Sequence, residues 1–201
     1  MTTSLNRQNQ IESHLRDSIA VKEKMLAALV PQIEAVADLL THCLSNGGKV
    51  LFCGNGGSAA DAQHLATELV VRLRSSFERP ALAALALTVD TSVLTAAGND
   101  YGFDRIFSRQ VAALGRPGDI LIGISTSGNS PNIIEAVREA GNGQLKTIGF
   151  LGGKGGKLAA MTDYSLIIPS EKTMRIQEGH ILAGHIICEL VEEHLFPKSA
   201  T

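Results

Sequence analysis

From Gly48 onward the chain alternates short, mainly apolar runs with longer segments whose apolar residues recur every three or four positions. The apolar runs fall at 49–53, 82–87, 119–124, 146–151 and 164–168. Runs of this length, aliphatic and bounded by Gly, Asn, Asp or Pro, read as strands. Helical spacing predicts helices near 57–73, 91–97, 104–114, 131–141 and 154–161, with a long final helix over 173–195. Strands that are apolar on both faces and alternate with helices belong in a parallel sheet covered on both sides. The predicted fold is a doubly wound α/β/α sandwich around a five-stranded parallel sheet.

Two more helices precede this pattern. Residues 5–30 carry Ile11, Leu15, Ile19, Met25, Leu26 and Leu29 at helical spacing, with charged residues between them. Pro31 ends that helix and can open the next, whose apolar face is Ile33, Val36, Leu40 and Leu44 and whose stop is Asn46-Gly47-Gly48. The expected organisation is one domain over 1–201, with a helical arm over 1–46 and an α/β core over 47–197 ending in the long helix. A minimal α/β unit does not need the arm. Its apolar faces cover either their own domain or a neighbouring subunit.

Composition narrows the function classes. With 44% hydrophobic and 19% charged residues in 201, the chain has the make-up of a globular protein able to bury one core. A net charge of −2 argues against a basic nucleic-acid surface, but leaves room for a small anion held by a few local donors. No apolar run reaches the ~18 residues of a membrane span, and the first ten residues lack the apolar core of a signal peptide. The three cysteines, Cys43, Cys53 and Cys188, have no metal-type spacing and read as small buried hydrophobes in a reducing cytosol. Cys53, next to a glycine turn, is the one candidate for a reactive thiol.

In doubly wound sheets ligands sit beyond the carboxyl ends of the strands, and here those ends are rich in chemistry. The first strand runs into Cys53-Gly54-Asn55-Gly56-Gly57-Ser58 and then a helix bearing Asp61, His64 and Glu68. At about 100° per residue these three lie within roughly 60° of one another, on one helix face. The turn fits a dinucleotide fingerprint only in part, as Gly54-x-Gly56-x-x-Ala59, because the acid expected about 20 residues later is missing. The third strand ends in Ser125-Thr126-Ser127-Gly128-Asn129-Ser130, followed by Pro131 at a helix start. Four hydroxyls and free amides at a positive helix end make a phosphate cradle. It has no Gly-Lys-Ser/Thr signature, which sets it apart from P-loop nucleotidases.

His64 and Glu68, four apart, are either metal ligands or a solvated helix pair. The final helix adds Gln177, His180 and His185, and Gln177 and His185 point loosely to one side. Histidines in so apolar a helix are either satisfied core groups or ligands. Phosphate, carboxylate and histidine sites without a nucleotide signature point to proton transfer on a phosphorylated metabolite.

Four stretches in order, Cys53 to Ser58, Gly98-Asn99-Asp100-Tyr101-Gly102, Ile124 to Ser130 and Arg175-Ile176-Gln177-Glu178-x-His180, resemble the sugar isomerase (SIS) domain family over nearly the whole chain. Within it they resemble the bacterial phosphoheptose isomerases. That resemblance implies conversion of sedoheptulose 7-phosphate to D-glycero-D-manno-heptose 7-phosphate, the first step toward lipopolysaccharide heptose, in a cytoplasmic homotetramer with sites built between subunits. It implies one zinc per site on His64, Glu68, Gln177 and His185. It implies substrate contacts at Asn55, Gly56, Gly57, Asn99, Asp100, Ser125, Thr126, Ser127, Ser130 and Gln177, with Glu68 and His185 as the acid–base residues.

Glu68 is then a base that leaves the metal during turnover, or a ligand only. Arg72, one turn beyond it, either helps neutralise phosphate or is simply solvated. His180 stands as a ligand neighbour, a proton relay or a core residue. The same family holds a non-enzymatic branch that binds the bacterial replication initiator protein, and Leu195-Phe196-Pro197 resembles that branch as well. Those relatives lack the acid and the histidine found here at Glu68 and His185, which favours the enzyme. A sugar-phosphate-sensing regulator would carry an attached DNA-binding or cystathionine-synthase-type domain, and none is present in the sequence.

Overall fold

The computed structural model describes residues 2–197, with side chains from Asn6 onward. Two helices, α1 (Thr2–Ala28) and α2 (Val30–Ser45), lead into β1 (Val50–Gly54), α3 (Gly57–Val70), β2 (Ala84–Ala86), α4 (Thr91–Tyr101) and α5 (Ser108–Leu114). Then come β3 (Ile120–Ser125), α6 (Pro131–Asn142), β4 (Lys146–Gly152), β5 (Tyr164–Ile168) and α7 (Thr173–Leu195). The five strands pair in parallel in the order β2-β1-β3-β4-β5. This is the doubly wound sheet that the alternating pattern predicts. The order reverses between β1 and β3, so the crevice past their carboxyl ends, where Gly54 lies opposite Ile124, is the switch point at which such sheets bind ligands.

Alternate side chains of the strands feed two cores. Val50, Phe52, Ile120, Ile122, Ile124, Phe150 and Leu166 face α1, α2, α3 and α7, whereas Leu51, Cys53, Leu121 and Leu151 face α4, α5 and α6. Each fully buried Leu, Ile or Phe contributes about 1.5–3 kcal/mol by leaving water. That drive forms the scaffold and fixes which helix faces look inward.

Several boundaries differ from the sequence expectation. β2 is three residues rather than 82–87, because Leu82 N–H bonds to the Leu69 carbonyl of α3 instead of the sheet. α3 stops at Val70 rather than 73, where the Arg79 guanidinium takes the carbonyls of Glu68 and Leu69. α4 runs through Gly98 to Tyr101, and Gly102 (φ 85°) ends it. The segment 104–114 divides into a 3₁₀ turn at Phe103–Arg105 and α5. The predicted helix at 154–161 is only a 3₁₀ turn, Leu158–Ala160.

The arm also divides. The chain bends by 71° between α1 and α2, and Leu29, not Pro31, is the break. α2 buries Ile33, Val36, Ala37 and Leu40 in its own core, and α1 adds Val21 and Met25. Ile11, Leu15, Ile19 and Leu26, expected to cover either their own domain or a neighbouring subunit, are 55–73% exposed. Among the described residues no single helix is long and apolar enough to cross a membrane.

Candidate active site and metal centre

α3 leaves the glycine turn at the switch point and packs beside α7. The two helices meet closely at Gly184, where a β-carbon would stand 2.5 Å from Leu65 Cδ2. Only a residue without a side chain lets Leu65 sit there, and the next residue along α7 is His185. The contact brings His185 Nε2 to 2.8 Å from His64 Nε2, and Glu68 Oε1 lies 3.1 Å from the same His64 atom. One ligand atom from each of His64, Glu68 and His185 falls within a sphere of mutual distances no larger than 4.8 Å.

Two imidazole nitrogens and a carboxylate oxygen converging on one point are a borderline-soft donor set suited to zinc. Zn–N and Zn–O bonds of about 2.1 Å in a tetrahedron put donors about 3.4 Å apart, close to the separations seen here. Three protein donors leave a fourth position. Gln177, also on α7, lies over the start of α3, with Nε2 2.4 Å from where a β-carbon on Gly57 would be. Gly57 therefore makes room for the Gln177 amide. Asp61 shares the α3 face with His64 and Glu68. Burial pushes its carboxyl above the ordinary range, against the pull of His64 and His185, and its Oδ2 has no hydrogen-bond partner.

The position of Glu68 is braced from behind. Arg79, fully buried, donates from Nη2 to the Glu68 carbonyl at 2.7 Å and from Nη1 to that of Leu69 at 2.8 Å. Its Nε donates to Oε1 of Glu192, equally buried on α7, at 2.9 Å, and Leu73 N–H donates to the same oxygen. This pair caps α3 and pins it to α7. Removing one partner of such a pair typically costs about 3–5 kcal/mol, because the other charge stays buried alone.

The loop after β3 is held by its own bonds. Ser125, 3% exposed, pairs its hydroxyl with that of Ser130 at 2.9 Å, and Ser127 Oγ accepts from Asn129 N–H. The segment after β4 braces it. Lys157 N–H donates to Asn129 Oδ1, and Leu158 N–H to the Gly128 carbonyl. Thr126 and Ser127 line a hollow of ≈ 630 Å³ together with Lys154, Thr173 and Ile176, at the start of the helix that carries Gln177. Asn55 and the N-cap Gly56 open the glycine turn, and the Asn55 side chain is bonded to Asn132 of α6.

Asn99 and Asp100 stand apart from these contacts. They pair with each other at 2.8 Å on the exposed end of α4, and Asp100 borders the groove between α4 and α5. Among the described residues no hydrogen bond joins them to the glycine turn or the hydroxyl loop. Arg72 pairs with Glu78 on the surface. His180 is a core residue, 1% exposed, with Nε2–H on the Leu151 carbonyl at 2.9 Å, and burial holds it down to about 4. Cys53 is no reactive thiol. Burial pushes it up to about 12, and Cys43 and Cys188 are likewise buried and raised. Asn132, Arg79, Glu192 and Gly184 escaped the sequence reading, since nothing in their local pattern sets them apart from caps, surface charges and a helix glycine.

The SIS domain signature matches residues 13–152, which contain the glycine turn and the hydroxyl loop. The chain belongs to the SIS domain family. It is 54% identical over 181 residues to the phosphoheptose isomerase of Roseiflexus sp., covering 90% of this chain and 91% of that one. It is 50% identical over 197 residues to the enzyme of the same name from Burkholderia pseudomallei, covering 95% and 99%. Among solved structures, the phosphoheptose isomerase of Neisseria gonorrhoeae superposes with TM-score 0.87 at 50% identity over 92% of this chain and 98% of that one. The Francisella tularensis phosphoheptose isomerase does so with TM-score 0.89 at 44% identity, over 93% and 98%. The SIS fold, N-terminal helices included, is thus shared nearly end to end.

Proposed function

We propose that this SIS-domain chain is a phosphoheptose isomerase, interconverting sedoheptulose 7-phosphate and D-glycero-D-manno-heptose 7-phosphate through an enediol(ate). The observation that carries the proposal is the meeting of Glu68 with two histidines beside the switch-point crevice that also holds a hydroxyl-rich loop. Relatives of about 50% identity with that name supply the substrate.

The ketose has its carbonyl at C2 and a hydroxyl at C1. A base takes a proton from C1, the C–H electron pair becomes the C1–C2 double bond, and the C2 oxygen gains a proton. Return of a proton to C2, with loss of the O1 proton, gives the aldehyde. Glu68 takes the carbon-bound proton and His185 supplies the oxygen-bound one, each a step that positioned acid–base groups accelerate by about 10²–10⁴-fold. Ser125, Thr126, Ser127 and Ser130 hold the phosphate with the free amides at the start of α6, and the glycine turn at Asn55, Gly56 and Gly57 receives the sugar. Asn99 and Asp100 complete the substrate contacts in this reading, and Gln177 contributes to both substrate and metal.

One zinc held by His64, Glu68, Gln177 and His185 would, when bound, polarise the sugar's carbonyl and hydroxyl oxygens. A carboxylate held by a cation is a weaker base, so the two roles given to Glu68 compete. We further propose a cytoplasmic homotetramer feeding lipopolysaccharide heptose synthesis. Three unpaired buried thiols fit a reducing compartment, and the exposed Ile11, Leu15, Ile19 and Leu26 of α1 offer a face for another subunit.

Turnover of sedoheptulose 7-phosphate by the purified, zinc-supplied protein tests the proposal. Formation of the heptose phosphate at the ~1–10³ s⁻¹ of ordinary enzymes is expected. A folded, zinc-supplied protein with no turnover would contradict it and favour the alternative, a non-enzymatic protein that binds the replication initiator.

A further inference from the structure

The amides of Asn55 and Asn132 form a closed ring of two hydrogen bonds. Asn55 Nδ2 donates to Asn132 Oδ1 at 2.9 Å, and Asn132 Nδ2 donates back to Asn55 Oδ1 at 2.8 Å. The partners are 77 positions apart. Asn55 is the first residue after β1, in the glycine turn, and Asn132 is the second residue of α6, directly after the hydroxyl loop. The ring therefore bridges the two strand ends that flank the switch point.

Asn132 is 1% exposed, so its amide has no bulk water to fall back on. Each amide gives the other one N–H and one lone pair. Asn55, half-buried, keeps one N–H and one lone pair uncommitted. The ring decides which way that remaining donor and acceptor point.

We infer that Asn132 is a positioning residue for the isomerisation, fixing the orientation of Asn55 and the separation of the glycine turn from the hydroxyl loop. The inference rests on the isomerase reading, in which one substrate has its sugar end at the first loop and its phosphate at the second. A substrate spanning both loops reacts well only if their separation is set before it binds, since small errors of placement cost large factors in rate. The ring supplies that setting at the side-chain level, where the sheet fixes only the strand ends.

Asn132→Asp separates positioning from bulk. A neutral carboxylic acid rebuilds the ring, its O–H donating to Asn55 Oδ1 and its carbonyl accepting from Nδ2. A carboxylate only accepts, and sets a negative oxygen against Asn55 Oδ1. The readout is kcat/KM of the variant divided by that of the wild type at the same pH, which cancels titrations common to both. The ratio should be down about tenfold or more near pH 8, mainly in kcat, for the loss of one buried hydrogen bond. It should climb as the pH falls toward about 5 and the introduced carboxyl protonates. Asn132→Ala should stay low at every pH. A pH-independent Asn132→Asp ratio, or an Asn132→Ala enzyme with wild-type kcat/KM, would overturn the inference.

Side-chain amide exchange, followed with asparagine-selective ¹⁵N labelling, reads the ring without turnover. Exchange at Asn55 slower in the wild type than in Asn132→Ala at the same pH, with Asn132→Asp approaching the wild type only at acid pH, supports the ring; equal exchange in all forms at each pH overturns it. A wild type that exchanges slowly but does not turn over would refute the isomerase reading and leave the ring standing, so the two failures are distinguishable.

Discussion

The loop after β3 takes all its hydroxyls from residues 125–130, whereas the cluster of His64, Glu68 and His185 joins two helices whose histidines are 121 positions apart. The loop is held by its own Ser125–Ser130 and Ser127–Asn129 bonds and by the neighbouring 157–158 backbone. In the cluster only the His64–Glu68 pair is local, and His185 comes from another helix. The cluster exists because Leu65 seats against Gly184 and because Arg79 and Glu192 pin α3 to α7. An anion site can be written into one turn of chain. A cluster drawn from two helices inherits its precision from their packing.

The largest effect is expected at the cluster. Glu68→Gln keeps shape and removes the proposed base, and should lower kcat by at least ~10²-fold with an unchanged melting temperature. Near-normal turnover in a folded Glu68→Gln protein would leave Glu68 at most a ligand. Gly184→Val attacks the packing instead. Its side chain enters space held by Leu65, and should cost about 1–3 kcal/mol in denaturant unfolding. It should also lower kcat while phosphate affinity, measured by calorimetry, stays near wild type. Parallel losses of turnover and phosphate affinity would show that the two regions are not separable. The smallest effect belongs to the loop. Ser130→Ala removes one hydroxyl and its bond to Ser125, and should raise KM by about 3–10-fold with little change in kcat, the scale of one hydrogen bond.

The same contrast governs what could be read from the sequence. All five strands, their parallel pairing and the hydroxyl loop were legible because each is signalled by consecutive residues. The shared face of Asp61, His64 and Glu68 was legible from helical periodicity alone. That His185, and not His180, meets His64 was not, because both lie in one apolar helix and only the α3–α7 contact chooses between them. The ligand set implied by the family resemblance pointed to His185, and the packing at Gly184 gives the physical reason. The short β2 and the early end of α3 escaped for a like reason. Leu82 and Arg79 bond to α3 carbonyls, tertiary choices that override local pattern. Asn132, an ordinary second residue of a helix in sequence, shows its role only through its contact with Asn55.

In the proposed enzyme, His64, Glu68 and His185 hold a metal on which turnover depends. The direct measurement is sedoheptulose 7-phosphate turnover together with metal content, before chelation, after chelation and after zinc is returned. Loss of zinc and turnover together, with both restored on add-back, is the predicted result. Full turnover in protein stripped of metal would contradict the account, leaving the cluster as acid–base groups only.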